Sequence, residues 1–197
     1  RVGVTGLPSD DAVLDSIVSG AGGDPEKVRR TTIGFNAVGA LLAGKVDAAT
    51  AFWNVEGVAL KQKRPRIREF RVDDFGAPRY PELVLAVRPE TIQDSPDLVQ
   101  AAVTALRRGY REVMLGPEEA VGVMVDRVDG LERETIQAQL DAVLPAFVAG
   151  GIDFGHFDLP SLMRWAGWEQ RFGITKEPPD VDRMFDPSFA EQGVISG

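Results

Sequence analysis

The sequence contains no cysteine and a single histidine. Without cysteine there is no disulfide framework, no thiol nucleophile and no thiolate to hold a metal. It leaves the redox compartment open, since such a chain suits either side of a membrane. The one histidine, His156 in GGIDFGHFDLP, has no second His or Cys at metal-ligand spacing. It reads as a surface or capping residue in a glycine-rich approach to the last helix. No GxSxG elbow is present, and GLPSDD at 6–11 lacks the Gly and Lys of a phosphate-binding loop. The acidic pairs Asp10/Asp11 and Asp73/Asp74 are sequence neighbours that point apart in helix or strand, so spacing alone makes no acid–base pair of them.

Positive charge is also in short supply, with 22 Lys and Arg against 30 Asp and Glu, a net charge of -8. That balance argues against nucleic acid, whose phosphates favour clustered cations. The densest basic run, KQKRPRIR at 61–68, reads as a solvated helix end and the strand after it. No apolar run approaches the 18 or more residues of a membrane helix. The chain begins on a strand-like RVGVTG without a leader, and the N-terminal part of a longer precursor is expected to be absent.

What is present is ordinary globular composition: 197 residues, 44% hydrophobic and 26% charged, enough for one sizeable core or two small lobes. Residues 1–72 alternate strand and helix. Val2–Thr5, Val28–Ile33, Val46–Phe52 and Ile67–Val72 read as strands. Between them lie a helix capped by Ser9, Asp10 or Asp11 with Val13, Leu14, Ile17 and Val18 inward, a short helix capped by Asn36, and a third from Asn54 to about Gln62. This alternation predicts an α/β fold with a mostly parallel sheet. DDFGAPRYP at 73–81 is too broken for either element, and Glu82–Val87 reads as one more strand.

From Pro89 the chain turns helical. Ser95-Pro96 opens a helix carrying Val99, Ala102, Val103, Leu106, Tyr110 and Val113, which stops at Gly116-Pro117. Further helices are expected to about Val128, over Glu132–Val148 and over Leu159–Phe172, then an extended tail pinned by Phe185 and Phe189. Amphipathic helices must bury their stripe, and this half offers only one strand to cover. The economical reading places the missing sheet in the absent N-terminal segment.

The runs RVGVTGLPSDD (1–11), ALLAGKVDAATAFWNVEGVAL (40–60), DDFGAPRYPELVLAV (73–87) and PSLMRWAGWEQRFGIT (160–175) together resemble the solute-binding proteins of the NMT1/THI5-like group. Those proteins serve importers of pyrimidines, riboflavin and sulfonates. The resemblance covers nearly the whole chain but only the last two-thirds of the family pattern. It implies a type II periplasmic-binding-protein fold of two lobes, with the first part of lobe one absent. On that mapping 1–75 is lobe two, 73–81 contains the return hinge, and 76–197 returns to lobe one. It further implies lobe closure around a solute, an ABC permease as partner, no cofactor, and an extracytoplasmic location, lipid-anchored where the host lacks an outer membrane.

In open α/β sheets ligands sit beyond the carboxyl ends of the strands, against helix N-termini. Three such junctions supply candidates. Ser9 and Asp10 follow the first strand, and Asn36, next to Phe35, follows the second; each serves equally as a helix cap. Phe52-Trp53-Asn54-Val55-Glu56 follows the third, where the family places its cleft. There Trp53 suits stacking on a flat ring, Asn54 a cap or an amide contact, and Glu56 a pair of N–H donors, although the helix dipole alone also favours Glu there. Asp74 and Tyr80 flank the hinge and complete the set. None of the candidates is basic, whereas an anion would normally meet Arg or Lys. Among the family's solutes this favours an aminopyrimidine thiamine precursor. The rivals are enzymes of the same fold and an effector-sensing domain of a regulator. One such enzyme is a synthase of the thiamine pyrimidine that uses iron, histidines and cysteines; another is a menaquinone-pathway dehydratase. The apolar stripes over 96–172 also predict self-association or a partner chain.

Overall fold

The computed structural model describes residues 1–148 and 154–191. It is a mixed α/β structure with one small parallel sheet and many helices, and the chain divides into two compact units. The first unit comprises residues 1–80 and 160–180, and the second comprises 81–159 and 181–197.

In the first unit, β1 (Val2–Val4) lies between β2 (Arg30–Thr32) and β3 (Ala48–Ala49). Both pairings are parallel, with Gly3 opposite Thr31 on one side and Ala49 on the other. Gly3 leaves room at this centre for the Ile33 side chain, whose Cδ1 would stand 2.5 Å from a Cβ there and would have to shift for a larger residue. α1 (Pro8–Gly20) starts with Pro8 at its first position, and Leu7 occupies the N-cap instead of Ser9, Asp10 or Asp11. Arg30 ties β2 to α1 through Asp11 at 3.0 Å and through a closer pair with Asp15. α2 (Ala37–Leu42) follows β2. After β3 comes a widened π-type turn, Trp53–Gly57, and then α3 (Val58–Lys63). The helix expected to begin at Asn54 is therefore split. Its opening turn closes with Gly57 N–H donating to the Phe52 carbonyl at 3.0 Å.

The expected strand at 67–72 does not form. The segment is irregular, largely exposed, and ends in a 3-10 turn, Val72–Phe75. The expected strand at 82–87 is likewise unpaired, with Leu83 81% exposed. Apolar, strand-like residues are not sufficient: a strand needs a neighbour for its backbone N–H and C=O groups. None stands beside either segment among the described residues.

α8 (Leu159–Arg171) returns to the first unit. Trp168 is buried with Ala12 and Ala77, and Val13, Val72, Trp165, Phe172 and Ile174 pack around them. The Trp168 indole N–H donates to Ser16 Oγ at 3.2 Å, across 152 residues of sequence. Tyr80 stacks on Trp165 at 3.7 Å, and Trp165 on Trp168 at 4.5 Å. The contacts thus differ from a division at residue 75: the first unit continues to Tyr80, and residues 160–180 join it because large rings close over α1.

The second unit holds α4 (Pro89–Asp94), α5 (Pro96–Leu115), α6 (Pro117–Arg127), α7 (Arg133–Phe147), α9 (Val181–Met184) and α10 (Ser188–Glu191). The tail expected to be extended forms the last two short helices. Phe185 meets the Phe157 ring edge-on at 5.1 Å, and the Phe189 carbonyl accepts from Gln100 at 3.0 Å. Arg107 of α5 donates to the Ala190 carbonyl at 2.7 Å, so α10 is strapped to α5 by its backbone.

Candidate functional site

Because the sheet is parallel, the three strands end at one edge, and the loops 5–7, 33–36 and 50–57 leave it together. Gly6 and Gly34 both sit at positive φ, +99° and +58°, so the chain turns sharply as it leaves β1 and β2. These loops carry a group of exposed apolar side chains: Leu7, Phe35, Phe52, Trp53 and Val55. Phe35 is 78% exposed, so it is a surface ring and not a core residue.

The first loop is fastened by Asp10. Its Oδ2 accepts from Thr5 N–H at 2.6 Å and Gly6 N–H at 3.2 Å, and it also pairs closely with the Thr5 hydroxyl. Three donors on one oxygen make Asp10 the anchor that shapes the loop, with Oδ1 left over. Ser9 is exposed in the first turn of α1. In the second loop, Asn36 holds the N-cap position of α2 but makes no side-chain cap hydrogen bond. Its amide lies instead against Gly39, where a Cβ would stand 2.3 Å from Oδ1.

The third loop is the most chemically varied. Glu56 Oε2 accepts from the Phe52 N–H at 3.0 Å, reaching back over the π-type turn to hold it. Oε1 has no hydrogen-bond partner among the described residues. Trp53 is 38% exposed on the same turn, and Asn54 is half-buried beside it. Wide turns of this kind recur at functional sites because they set adjacent side chains at angles that a regular helix does not allow. The turn therefore gathers a π face, an amide and a half-free carboxylate within four residues.

Two candidates lie apart from this group. Asp74 sits on the 3-10 turn that packs against the C-terminal end of α1, where a Cβ on Gly20 would meet the Phe75 carbonyl at 2.3 Å. That is the opposite end of α1 from the strand-end loops. Its neighbour Asp73, not Asp74, makes the ion pairs, with Arg71 at 3.3 Å and Arg79 at 3.1 Å. Partial burial pushes the Asp73 carboxyl up, but the Arg79 hydrogen bond and the Arg71 charge outweigh it and hold it below the usual carboxylate value. Tyr80 has one ring face covered by Trp165 and is 40% exposed. A recess of about 200 Å³ lined by Ser16, Ser19, Phe75 and Arg171 also lies at the far end of α1. It contains none of the candidate residues.

Thr5 escaped the sequence reading, although a hydroxyl directly after a strand and five residues before an acid was there to be seen. No cluster of metal-ligating side chains occurs among the described residues.

The NMT1/THI5-like family model matches residues 1–120. The chain is 31% identical over 189 residues to a formylaminopyrimidine-binding protein of Halalkalibacterium halodurans, covering 93% of this chain and 57% of that protein. A protein of Haemophilus influenzae named for thiamine biosynthesis is 27% identical over 61% of this chain and 38% of its own length. A 4-amino-5-hydroxymethyl-2-methylpyrimidine phosphate synthase of Legionella pneumophila is 27% identical over 89% of this chain and 53% of its own length. The chain thus spans about half the length of these relatives. With a parallel sheet, crowded strand-end loops and this family match in agreement, the chain belongs to the NMT1/THI5-like family.

Proposed function

We propose that this chain is part of an extracytoplasmic solute-binding protein that captures an aminopyrimidine thiamine precursor and hands it to an ABC permease. The observation that carries the reading is the Trp53–Glu56 turn at the carboxyl edge of the parallel sheet. An aminopyrimidine offers a flat ring for the indole and an exocyclic N–H for the open oxygen of Glu56. The identity to a formylaminopyrimidine-binding protein supports the same solute class. In this reading the two units correspond to two lobes, and their closure excludes water and strengthens the buried hydrogen bonds.

Calorimetric titration of the full-length protein with an aminopyrimidine, thiamine, riboflavin, taurine and nitrate tests this. Binding of the aminopyrimidine alone is expected, with Glu56→Gln weakening it about tenfold or more, as loss of a charged hydrogen bond does. Gln keeps a carbonyl oxygen to hold Phe52 N–H, so thermal stability should hardly change. Tight binding of an anion instead, or equal binding by the variant, would discard the carboxylate-and-indole site. The synthase relative motivates one control, mass spectrometry of the ligand after incubation. A chemically altered ligand would replace capture with catalysis.

The proposal extends to self-association of the 197-residue chain through α5–α7, whose apolar stripes are only half covered. Leu98, Leu106, Leu115, Val123 and Met124 are each more than 45% exposed. Sedimentation velocity should show dimers or larger species that grow with concentration; a monomer throughout would remove this part.

A further inference from the structure

The basic run at 61–71 is not absorbed by solute capture, and its cations divide into two groups. Six are crowded into eleven residues with a single acid, a net charge of +5 in a chain whose remaining residues sum to -13. Three have work inside the fold. Lys61 pairs with Glu69 at 2.7 Å and closes the base of a loop. The Arg64 guanidinium donates to the carbonyls of Leu41 and Leu42 at 3.3 and 2.7 Å, capping the last turn of α2. Arg71 pairs with Asp73. The tip is a tight turn in which Ile67 N–H donates to the Arg64 carbonyl at 3.0 Å, with Pro65 and Arg66 at its corners.

The other three, Lys63, Arg66 and Arg68, are exposed and make no hydrogen bond or ion pair with the described residues. Arg68 only rests over the half-exposed ring of Phe70, at 5.3 Å. The loop is thus anchored at its base and flank, while its projecting charges have no internal partner. Its position is equally telling. α2 ends where the strands begin, since Asp47 N–H, just before β3, donates to the carbonyl of Arg1. Arg64 therefore pins the tip of the loop beside the last turn of α2, while Glu69, on the returning limb, lies against Gly57 of the π-type turn, where a Cβ would stand 2.6 Å from its Oε1.

We propose that the 61–71 loop is a docking surface for an anionic phospholipid bilayer. Three unpaired cations on an exposed turn suit a partner whose anionic groups are mobile and adapt to the protein. A partially exposed aromatic ring beside an arginine is also suited to the headgroup layer. The acidic remainder does not cancel this attraction, because charges beyond about 8 Å are screened at physiological ionic strength. Attachment would be peripheral, since no helix among the described residues is long and apolar enough to cross a membrane.

The test is co-sedimentation of the protein with phosphatidylcholine vesicles and with phosphatidylcholine/phosphatidylglycerol vesicles, at low and high salt. Binding is expected only to the anionic vesicles and is expected to be salt-sensitive. The triple variant Lys63→Gln/Arg66→Gln/Arg68→Gln should weaken it roughly a hundredfold. These three side chains hold nothing internal, so circular dichroism should be unchanged. Arg88→Gln, an exposed cation of the second unit, is the matched control and should bind as the parent does. Failure to bind anionic vesicles at low salt, or equal binding by the triple variant, would overturn the proposal. Binding to polyglutamate through the same three residues while vesicles fail to compete would overturn it in favour of an acidic protein partner.

Discussion

The two units are nearly equal in length but are held together differently. Among the described residues the first buries eleven apolar side chains, among them Val4, Leu14, Leu60 and Trp168; the second buries four, Val99, Val121, Val181 and Ala190. α7 is fifteen residues long and buries none of them fully. The first unit has a sheet to organise its helices, and rings from α8 to close over them. The second has helices with half-covered stripes and a carbonyl strap from Arg107 and Gln100. Helix stability in proteins comes mainly from burying one face. The comparison therefore teaches that regular helices can be complete while the packing that stabilises them is not.

The sharpest way to break this contrast is a matched pair of truncations. Trp168→Ala should cost about 3–5 kcal/mol, because it empties a buried site and strands the Ser16 hydroxyl. Leu106→Ala, at a residue 47% exposed, should cost under about 1 kcal/mol. Urea unfolding measures both, and equal costs would show that the second unit is packed as tightly as the first. A smaller effect is expected from Asp10→Ala. It removes the acceptor for Thr5 and Gly6 and should destabilise the first unit by about 1.5–3 kcal/mol, without touching helix content in the second. Hydrogen exchange at the Thr5 and Gly6 amides would locate the loss; unchanged protection there would show that the loop holds its shape without the carboxylate.

The smallest effect should come from acid. Asp73 has a folded value below its unfolded one, so its pairing stabilises the protein fully above the ordinary carboxylate range. That contribution is lost as pH falls through the folded value. Both arginine partners are more than half exposed, so the network is worth about 0.5 kcal/mol or less. Thermal scans of the parent and Asp73→Asn should therefore differ slightly at pH 7 and converge in acid. A gap that widens on acidification would contradict the sign.

Local signals were the legible ones. Ser95-Pro96 and Gly116-Pro117 bracket α5 within a residue, because proline at a helix start and glycine at its end act through their own backbone. The three strand-end junctions were also readable, since alternating strand and helix force a parallel sheet with its loops at one edge. Strands at 67–72 and 82–87 were expected and are absent, because a partner strand is a property of the rest of the fold. Ser16 and Trp168 are 152 residues apart, and nothing in either neighbourhood announces the other. At the candidate site the residue types of Trp53, Asn54 and Glu56 could be read. The π-type turn that angles them, and the division of the Glu56 oxygens between backbone and solvent, could not.

The α8 closure also has a meaning in time. Residues 1–80 leave the ribosome before residues 160–180, which carry the rings that cover Ala12 and Ala77. At about 5–20 residues per second, the intervening segment delays their arrival by roughly 4–16 s. Throughout that interval the sheet and α1 present an unfinished apolar face. Residues 1–80 must therefore be shielded or remain partly unfolded until α8 is made.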